Sequence, residues 1–280
     1  MNKIICGDCA EIMKGMPDGY IDITVTSPPY GTKVRKYHGF NFDFEATAQQ
    51  LYRVMKPGAV LAWVVGDTTV KGDRTGEPYR QALYFKEIGF LLHDTIIINK
   101  SGTSYPSKSR YTACYEFAHV LAKGQPKAVN LICDVPRKWQ GSWARTRQRK
   151  ADGTLKDSTA KNCGAGRSGR AKGSEYGMKA RTNIWPVITG KGFSHFDGDL
   201  FLGHPATFPT PLAIDLIRSF SNEGDLVLDP LNGSGTTCLA AKGLNRDYLG
   251  IDVSSDYCDL AERRVALVER GEYLVSPEQE

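Results

Sequence analysis

The segment from Asp225 to Asp252 constrains the fold more than any other stretch of the chain. Asp225-Leu226-Val227-Leu228-Asp229 is a short apolar run that predicts a buried strand. It passes into Pro230-Leu231-Asn232-Gly233-Ser234-Gly235-Thr236-Thr237 and then into a helix through Cys238-Leu239-Ala240-Ala241-Lys242. A second strand comes next at Tyr248-Leu249-Gly250-Ile251-Asp252. Gly233 and Gly235 permit a sharp turn and close approach of a ligand, because neither carries a Cβ. Thr236 and Thr237 suit a first helical turn, whose free N–H groups favour polar or anionic ligand atoms. Asp252 stands about twenty residues beyond the loop, where doubly wound nucleotide sites place a carboxylate on ribose hydroxyls. The loop departs from the dinucleotide fingerprint, since a third glycine is missing at the expected offset. No lysine follows the second glycine, as a phosphate-gripping loop would require. The expected ligand is therefore a nucleoside rather than a di- or triphosphate.

A second signal lies near the N-terminus. Ile21-Asp22-Ile23-Thr24-Val25 predicts a buried strand, and it ends in Thr26-Ser27-Pro28-Pro29-Tyr30. The two prolines fix φ, remove two N–H donors and hold the chain extended. A carbonyl in such a pair is free to accept from a ligand, and Tyr30 offers a flat face. Together they predict a rigid slot for a planar ring bearing an amino group.

Between and around these signals, strands alternate with helices. Lys3–Cys6, Ala59–Val65, Leu91–Asn99 and Tyr115–Ala122 read as strands. Residues 10–16, 46–55, 79–88, 211–221 and 255–269 read as helices, the second stopped by Pro57-Gly58. Leu91–Asn99 and Tyr115–Ala122 are expected to pair antiparallel at one sheet edge. The alternation predicts an α/β fold, a mostly parallel sheet with helices on both faces. Ligands of such sheets sit at the carboxyl ends of the strands. Asp8, Ser27 and Asp229 each follow a predicted strand and Asp252 closes one, so four segments converge on one rim.

On these residues the chain resembles the amino-group DNA methyltransferases. Thr26–Tyr30 resembles their catalytic motif, and Asp229–Thr237 their S-adenosyl-L-methionine loop. The catalytic motif precedes the cofactor loop, which is the permuted, β-type order. Ile5-Cys6-Gly7-Asp8-Cys9 resembles the segment whose acid lies near the cofactor adenine. Val54–Ala59 resembles the turn after the catalytic motif. Residues 100–123, with Pro106, Arg110 and Tyr115-Glu116, resemble the antiparallel side of the sheet, and His204–Pro209 the segment that closes over the methionine end. The resemblance implies a Rossmann-like methyltransferase fold with an inserted target-recognition region. It implies catalytic roles for Ser27, Pro28, Pro29 and Tyr30. It implies cofactor contacts from Asp8, Phe208, Pro209, Asp229, Pro230, Asn232, Gly233, Ser234, Gly235, Thr236 and Asp252. Ser-Pro-Pro-Tyr is associated mainly with the N4 amine of cytosine and Asp-Pro-Pro-Tyr with N6 of adenine. The implied activity is methylation of a flipped cytosine in double-stranded DNA, as in restriction-modification systems, with N6 of adenine as the alternative. A catalytically silent nucleic-acid-binding protein and a nicotinamide oxidoreductase are the competing readings, and RNA is not excluded as a substrate.

No family motif applies from Gly124 to about Thr182. The expected division is 1–123 as the catalytic half, 124–182 as a basic insertion and 183–280 as the cofactor half. From Arg137 to Arg181, Lys and Arg far outnumber Asp152, Asp157 and Glu175, and Trp139 and Trp143 lie among them. The net charge is only +5, so the bases are concentrated there. Such a segment buries little surface alone. Its cations suit DNA phosphates and guanine edges. Arg110, Arg137, Lys138, Arg145, Arg147 and Arg149 are the candidate DNA contacts.

The 7 cysteines are odd in number and scattered, which suits free thiols in a reducing compartment. Cys6 and Cys9 form a C-x-x-C, but no second pair completes a zinc set, so no metal is expected. No apolar run approaches the roughly 20 residues of a membrane helix. Asp8 and Glu11 near the N-terminus argue against a signal peptide. A cytoplasmic protein without a membrane partner is expected, and a homodimer is compatible with the sequence.

Overall fold

The computed structural model describes residues 2–30, 42–100, 109–136, 147–149, 152, 154–157, 178–187 and 209–274. The chain forms two compact units, one of residues 1–129 with 183–280 and one of residues 130–182.

The larger unit is built on an eight-stranded sheet of order β1-β14-β13-β2-β3-β7-β6-β12. In chain order its elements are β1 (Lys3–Cys6), α1 (Cys9–Lys14), β2 (Ile21–Thr26), α2 (Phe44–Val54) and β3 (Met55–Val65). A small hairpin, β4 (Thr69–Val70) and β5 (Asp73–Arg74), precedes α3 (Glu77–Glu87), β6 (Leu91–Lys100) and β7 (Tyr115–Ala122). The smaller unit contributes β8 (Val135–Pro136), β9 (Arg147–Arg149), β10 (Leu155–Asp157) and β11 (Met178–Lys179). The larger unit resumes with β12 (Ile184–Val187), α4 (Thr210–Phe220), β13 (Leu226–Asp229), α5 (Thr236–Gly243), β14 (Asp247–Asp252) and α6 (Ser255–Ala266). Every neighbouring pair in the large sheet is parallel except those made by β7.

The expected α/β architecture is thus what the chain forms, and its two-sided core follows from strand periodicity. Val227 faces one layer with Ile23, Val25, Val60 and Ala62, against Leu216 and Ile217 of α4 and Leu239 and Ala240 of α5. Leu226 and Leu228 face the other with Leu61 and Trp63, against Met13 of α1, Leu51 of α2 and Phe85 of α3. Trp63 and Phe85 meet edge-on with centroids 5.1 Å apart, and the Trp63 indole N–H donates to Gln81 at 2.8 Å. Burial of each such side chain stabilises by roughly 1.5–3 kcal/mol. Asp43 caps α2 through the Ala46 N–H at 3.0 Å, and Ser254 caps α6 through Tyr257 at 3.4 Å. Either bond satisfies one of the helix's otherwise orphan donors.

Two elements differ from the sequence expectation. Pro57-Gly58 does not separate helix from strand, because β3 begins at Met55 and runs through both. Ile21 pairs with Met55 but Ile23 with Val60, so Lys56–Ala59 bulge out of the ladder. The missing Pro57 N–H falls where no ladder partner exists. The Lys56 ammonium holds the bulge to Asp22 at 2.7 Å. The second difference is β12. The antiparallel pair β6–β7 forms as expected, but the edge strand is Ile184–Val187, parallel to β6. A strand of Ile-Trp-Pro-Val carries its proline where an edge tolerates a lost donor.

Residues 124–129 stay with the larger unit, where the Lys127 N–H donates to the Gly58 carbonyl at 3.0 Å. In the smaller unit β8 pairs antiparallel with β11, and β9 with β10. Arg181 pairs with Asp134 at 2.5 Å. Among the described residues no helix is long and apolar enough to cross a membrane.

Candidate active site

The carboxyl ends of β1, β14, β13 and β2, adjacent in that order, meet along one rim of the large sheet. Hydrogen bonds between the segments leaving these strands fix their spacing. The Gly7 N–H donates to the Asp252 carbonyl at 2.8 Å, and Asn232 N–H to that of Ile251 at 2.8 Å. The Thr26 hydroxyl donates to Asp229 Oδ1 at 2.7 Å, which ties the end of β2 to the end of β13. The Thr237 hydroxyl donates to the Val25 carbonyl at 3.2 Å and locks α5 to the same strand end. The segment Ser27–Tyr30 and the glycine loop 230–235 are therefore held side by side.

Asp229 is only 4% exposed. Burial pushes its carboxyl up to about 6, and the hydroxyls of Thr26 and Thr237 work against that rise. It also accepts from the Leu231 N–H at 3.1 Å, so it organises the loop from below. Asp252 grips the loop from the next strand. Its Oδ2 accepts from Gly233 N–H at 2.7 Å and its Oδ1 from Ser254 N–H at 2.9 Å. Gly235 has φ 82° and initiates α5, and a Cβ there would lie 2.6 Å from the Ala261 Cβ. A glycine is required both by the left-handed backbone and by the closeness of α6.

Asn232 is buried, and a Cβ at Gly250 would lie 2.7 Å from its Cγ. Its Oδ1 accepts from the Cys238 thiol at 3.1 Å. Its Nδ2 has no hydrogen-bond partner among the described residues. A buried donor in that condition is costly unless a ligand supplies an acceptor.

Ser27 is half-buried, and its hydroxyl lies 3.2 Å from the Tyr30 hydroxyl. The Tyr30 ring lies over Gly66, just past the end of β3, where a Cβ would stand 2.9 Å from Cε2. Burial pushes the Tyr30 phenol far up, and the Glu116 carboxylate adds to the shift. Gly66→Ala is expected to displace the ring and lower turnover roughly ten- to a hundredfold while leaving cofactor affinity unchanged. Single-turnover rates and calorimetry on the same variant check both halves.

The remaining sequence candidates make none of these bonds or lie outside the described residues. Asp8 follows β1 on the rim, exposed, and its Oδ1 caps α1 through the Glu11 N–H at 3.0 Å. Pro209 is the N-cap residue of α4, and Phe208 lies outside the described residues. Arg110 is exposed and donates to the Gly72 carbonyl in the β4–β5 turn. Arg147 and Arg149 lie on β9, whereas Arg137, Lys138 and Arg145 lie outside the described residues. Among the described residues no group of His, Cys, Asp and Glu is placed to hold a metal ion.

One residue that sequence reasoning missed supports the loop. Arg264 of α6 is fully buried, and its Nη1 donates to the Ser234 carbonyl at 2.5 Å, to Ser234 Oγ at 2.8 Å and to Thr236 Oγ1 at 3.3 Å. A single arginine next to Arg263 on an amphipathic helix carries no signal of this in the sequence.

The N6/N4 methyltransferase family, described as DNA methylase, matches residues 21–263, which include both strand-end segments. The chain belongs to this family. The DNA methyltransferase is 46% identical over 250 residues to the orphan methyltransferase M.BamHII of Bacillus amyloliquefaciens, a match that covers 89% of each chain. Among solved structures, it matches TTHA0409 of Thermus thermophilus, complexed with S-adenosyl-L-methionine, with TM-score 0.61 and 25% identity over 95% of this chain and 94% of that one. PvuII DNA methyltransferase (cytosine-N4-specific) matches at TM-score 0.64 and 18% identity, over 100% and 89% of the two chains, and shares the fold.

Proposed function

We propose that this DNA methyltransferase transfers a methyl group from S-adenosyl-L-methionine to the exocyclic N4 of a cytosine rotated out of double-stranded DNA. The observation that carries the reading is the Thr26–Asp229 bond, which sets Ser27-Pro28-Pro29-Tyr30 beside the glycine loop. The loop fits the cofactor on its own geometry. It offers a buried Asn232 Nδ2 with no partner among the described residues and backbone at Gly233 that no Cβ covers. Asn232, Gly233, Ser234, Gly235 and Thr236 line the methionine and ribose side, above Asp229 and Pro230. Asp252, at the end of β14, accepts from the ribose hydroxyls. Asp8 lies toward the adenine, and Phe208 and Pro209 close over the methionine end.

When bound, S-adenosyl-L-methionine supplies an electrophilic methyl on a sulfonium, a good leaving group. The protein's part is positioning and electrostatics. The cytosine amine is conjugated with its ring and is a poor nucleophile. Ser27 Oγ and the Pro28 carbonyl accept its two N–H bonds, which favours a tetrahedral nitrogen with its lone pair toward the methyl. Pro29 keeps that carbonyl out of any ladder, and the Tyr30 face stacks on the flipped base, whose extrusion costs a few kcal/mol. The basic 124–182 segment, Arg147 and Arg149 included, neutralises phosphates and reads the target sequence, with Arg110 contacting the backbone from the larger unit.

The same residues serve N6 of adenine, and the family embraces both amines. Mass spectrometry of nucleosides from unmethylated DNA incubated with enzyme and S-adenosyl-L-methionine separates them. N4-methylcytosine is expected, and N6-methyladenine would overturn the base assignment while leaving the cofactor site intact. Asp252→Ala is expected to weaken cofactor binding at least tenfold, the loss of one or more charged hydrogen bonds at about 1.5–3 kcal/mol each. Calorimetric titration reads this directly, and an unchanged affinity would remove Asp252 from the ribose site.

A further inference from the structure

Glu116 is the second residue of β7, the strand that runs against its neighbours in the large sheet. The β3–β7 ladder closes with Val65 opposite Phe117, so Glu116 lies beside Gly66, at the end of the sheet where Ser27 leaves β2. A Cβ on Gly66 would touch both the Tyr30 ring, at 2.9 Å, and Glu116 Cγ, at 3.2 Å. Glycine at 66 thus makes room for a tyrosine and a carboxylate to meet. Burial pushes the Tyr30 phenol up, and the nearby Glu116 carboxylate adds to the rise. Lys100 of β6 anchors it from the other side, Nζ to Oε1 at 2.6 Å. The Tyr30 hydroxyl in turn lies 3.2 Å from Ser27 Oγ.

This chain of hydroxyls has a direction. A carboxylate only accepts, so a hydrogen bond closing between the two runs from Tyr30 to Glu116. The Tyr30 oxygen is then the acceptor for the Ser27 hydroxyl, and Ser27 Oγ keeps its remaining lone pairs for an incoming N–H. We propose that Glu116 is the positioning residue that polarises this chain and the terminal acceptor of a proton relay, Ser27 to Tyr30 to Glu116, that carries off the proton released by the methylated amine. The proposal rests on the amino-methyltransferase reading above and holds for either base.

The step balances. The amine nitrogen bonds to the methyl carbon as the carbon–sulfur bond breaks, and that electron pair stays on sulfur. The nitrogen, now cationic, gives one proton to Ser27 Oγ while Ser27 passes its own to Tyr30 and Tyr30 passes its own to Glu116. Ser27 and Tyr30 end as neutral hydroxyls and Glu116 as a neutral acid. The Glu116 side chain is 19% exposed, so water takes the proton from there. The relay removes the need for Tyr30 ever to carry charge, which its burial opposes.

Two variants of the full-length enzyme test this, with DNA affinity and cofactor affinity measured beside single-turnover methylation. Glu116→Gln keeps an acceptor for the Tyr30 hydroxyl but cannot take a proton. Its methyl-transfer rate is expected to fall at least tenfold with both affinities within about twofold of the parent, in keeping with the usual worth of proton transfer. Glu116→Ala leaves a space, and added formate is expected to restore a saturable part of the rate in that variant alone. Parental rates in Glu116→Gln would overturn the relay, as would a slow Glu116→Ala that formate does not accelerate. Either failure leaves the methyltransferase reading standing as long as the parent enzyme methylates DNA. A parent that methylates no base on diverse DNA defeats that reading instead.

Discussion

Ser27→Ala is expected to lower the single-turnover rate of DNA methylation by about a hundred- to a thousandfold, the usual loss on removing one group aimed at a transition state. In the proposed mechanism the hydroxyl, 3.2 Å from that of Tyr30, accepts one of the two amine N–H bonds and begins the relay toward Glu116. Its loss therefore removes both the force that favours a tetrahedral nitrogen and the exit for the proton. Cofactor affinity should stay within about twofold, because the glycine loop is held by Asp229, Asp252 and Arg264 and by no bond from Ser27. DNA affinity should change as little, since stacking on Tyr30 and phosphate contacts do not use the Ser27 oxygen. The split is what distinguishes a catalytic from a structural role. A variant that lost cofactor binding and rate together would place Ser27 in the scaffold, and one that kept the parental rate would remove it from the chemistry. Quench-flow methylation with labelled cofactor, run beside calorimetry, separates these outcomes.

Much of this arrangement is legible in the chain itself. Strands as apolar as Ile21–Val25 and Leu226–Leu228 announce themselves through their runs of apolar and β-branched residues. The loops they lead into, Ser-Pro-Pro-Tyr and Asn-Gly-Ser-Gly, are each contiguous in sequence. Convergence on one rim follows from the α/β pattern, because parallel strands present all their carboxyl ends together. What sequence does not carry is the set of bonds that hold the rim. Thr26 and Asp229 are separated by most of the chain, and neither position differs in type from an ordinary strand-end threonine or aspartate. Glu116 lies on β7, whose antiparallel direction puts its beginning, rather than its end, on the active rim. A rule that searches after the ends of strands passes over it. The edge strand Ile184–Val187 is hidden because four residues containing a proline give no period to detect. The bulge at Lys56–Ala59 escapes for the opposite reason, since Pro57-Gly58 looks like a stop until the Lys56–Asp22 pair shows what the extra residues do.

Arg264→Met is expected to destabilise the protein by about 3 kcal/mol or more, because buried acceptors that lose a charged donor keep their full desolvation penalty. The three acceptors are Ser234 O, Ser234 Oγ and Thr236 Oγ1, all in or beside the loop, and methionine fills much of the volume while donating to none of them. Cavity formation is therefore the smaller part of the loss. The unfolding midpoint in denaturant reads the global loss. The local consequence is separate and sharper. Gly235 packs its α-carbon against Ala261, one helical turn before Arg264, so loop and helix move as one body. With the guanidinium gone, no donor fixes the Ser234 carbonyl, and the loop is expected to need reordering each time cofactor binds. Affinity for S-adenosyl-L-methionine should fall together with stability, and saturating cofactor should recover part of the lost midpoint by mass action. Ser27→Ala is expected to show the reverse pattern, full affinity with lost rate. The two variants thus divide the rim into a half that holds the donor and a half that presents the amine, and a loss of stability in Arg264→Met without any loss of cofactor affinity would break that division.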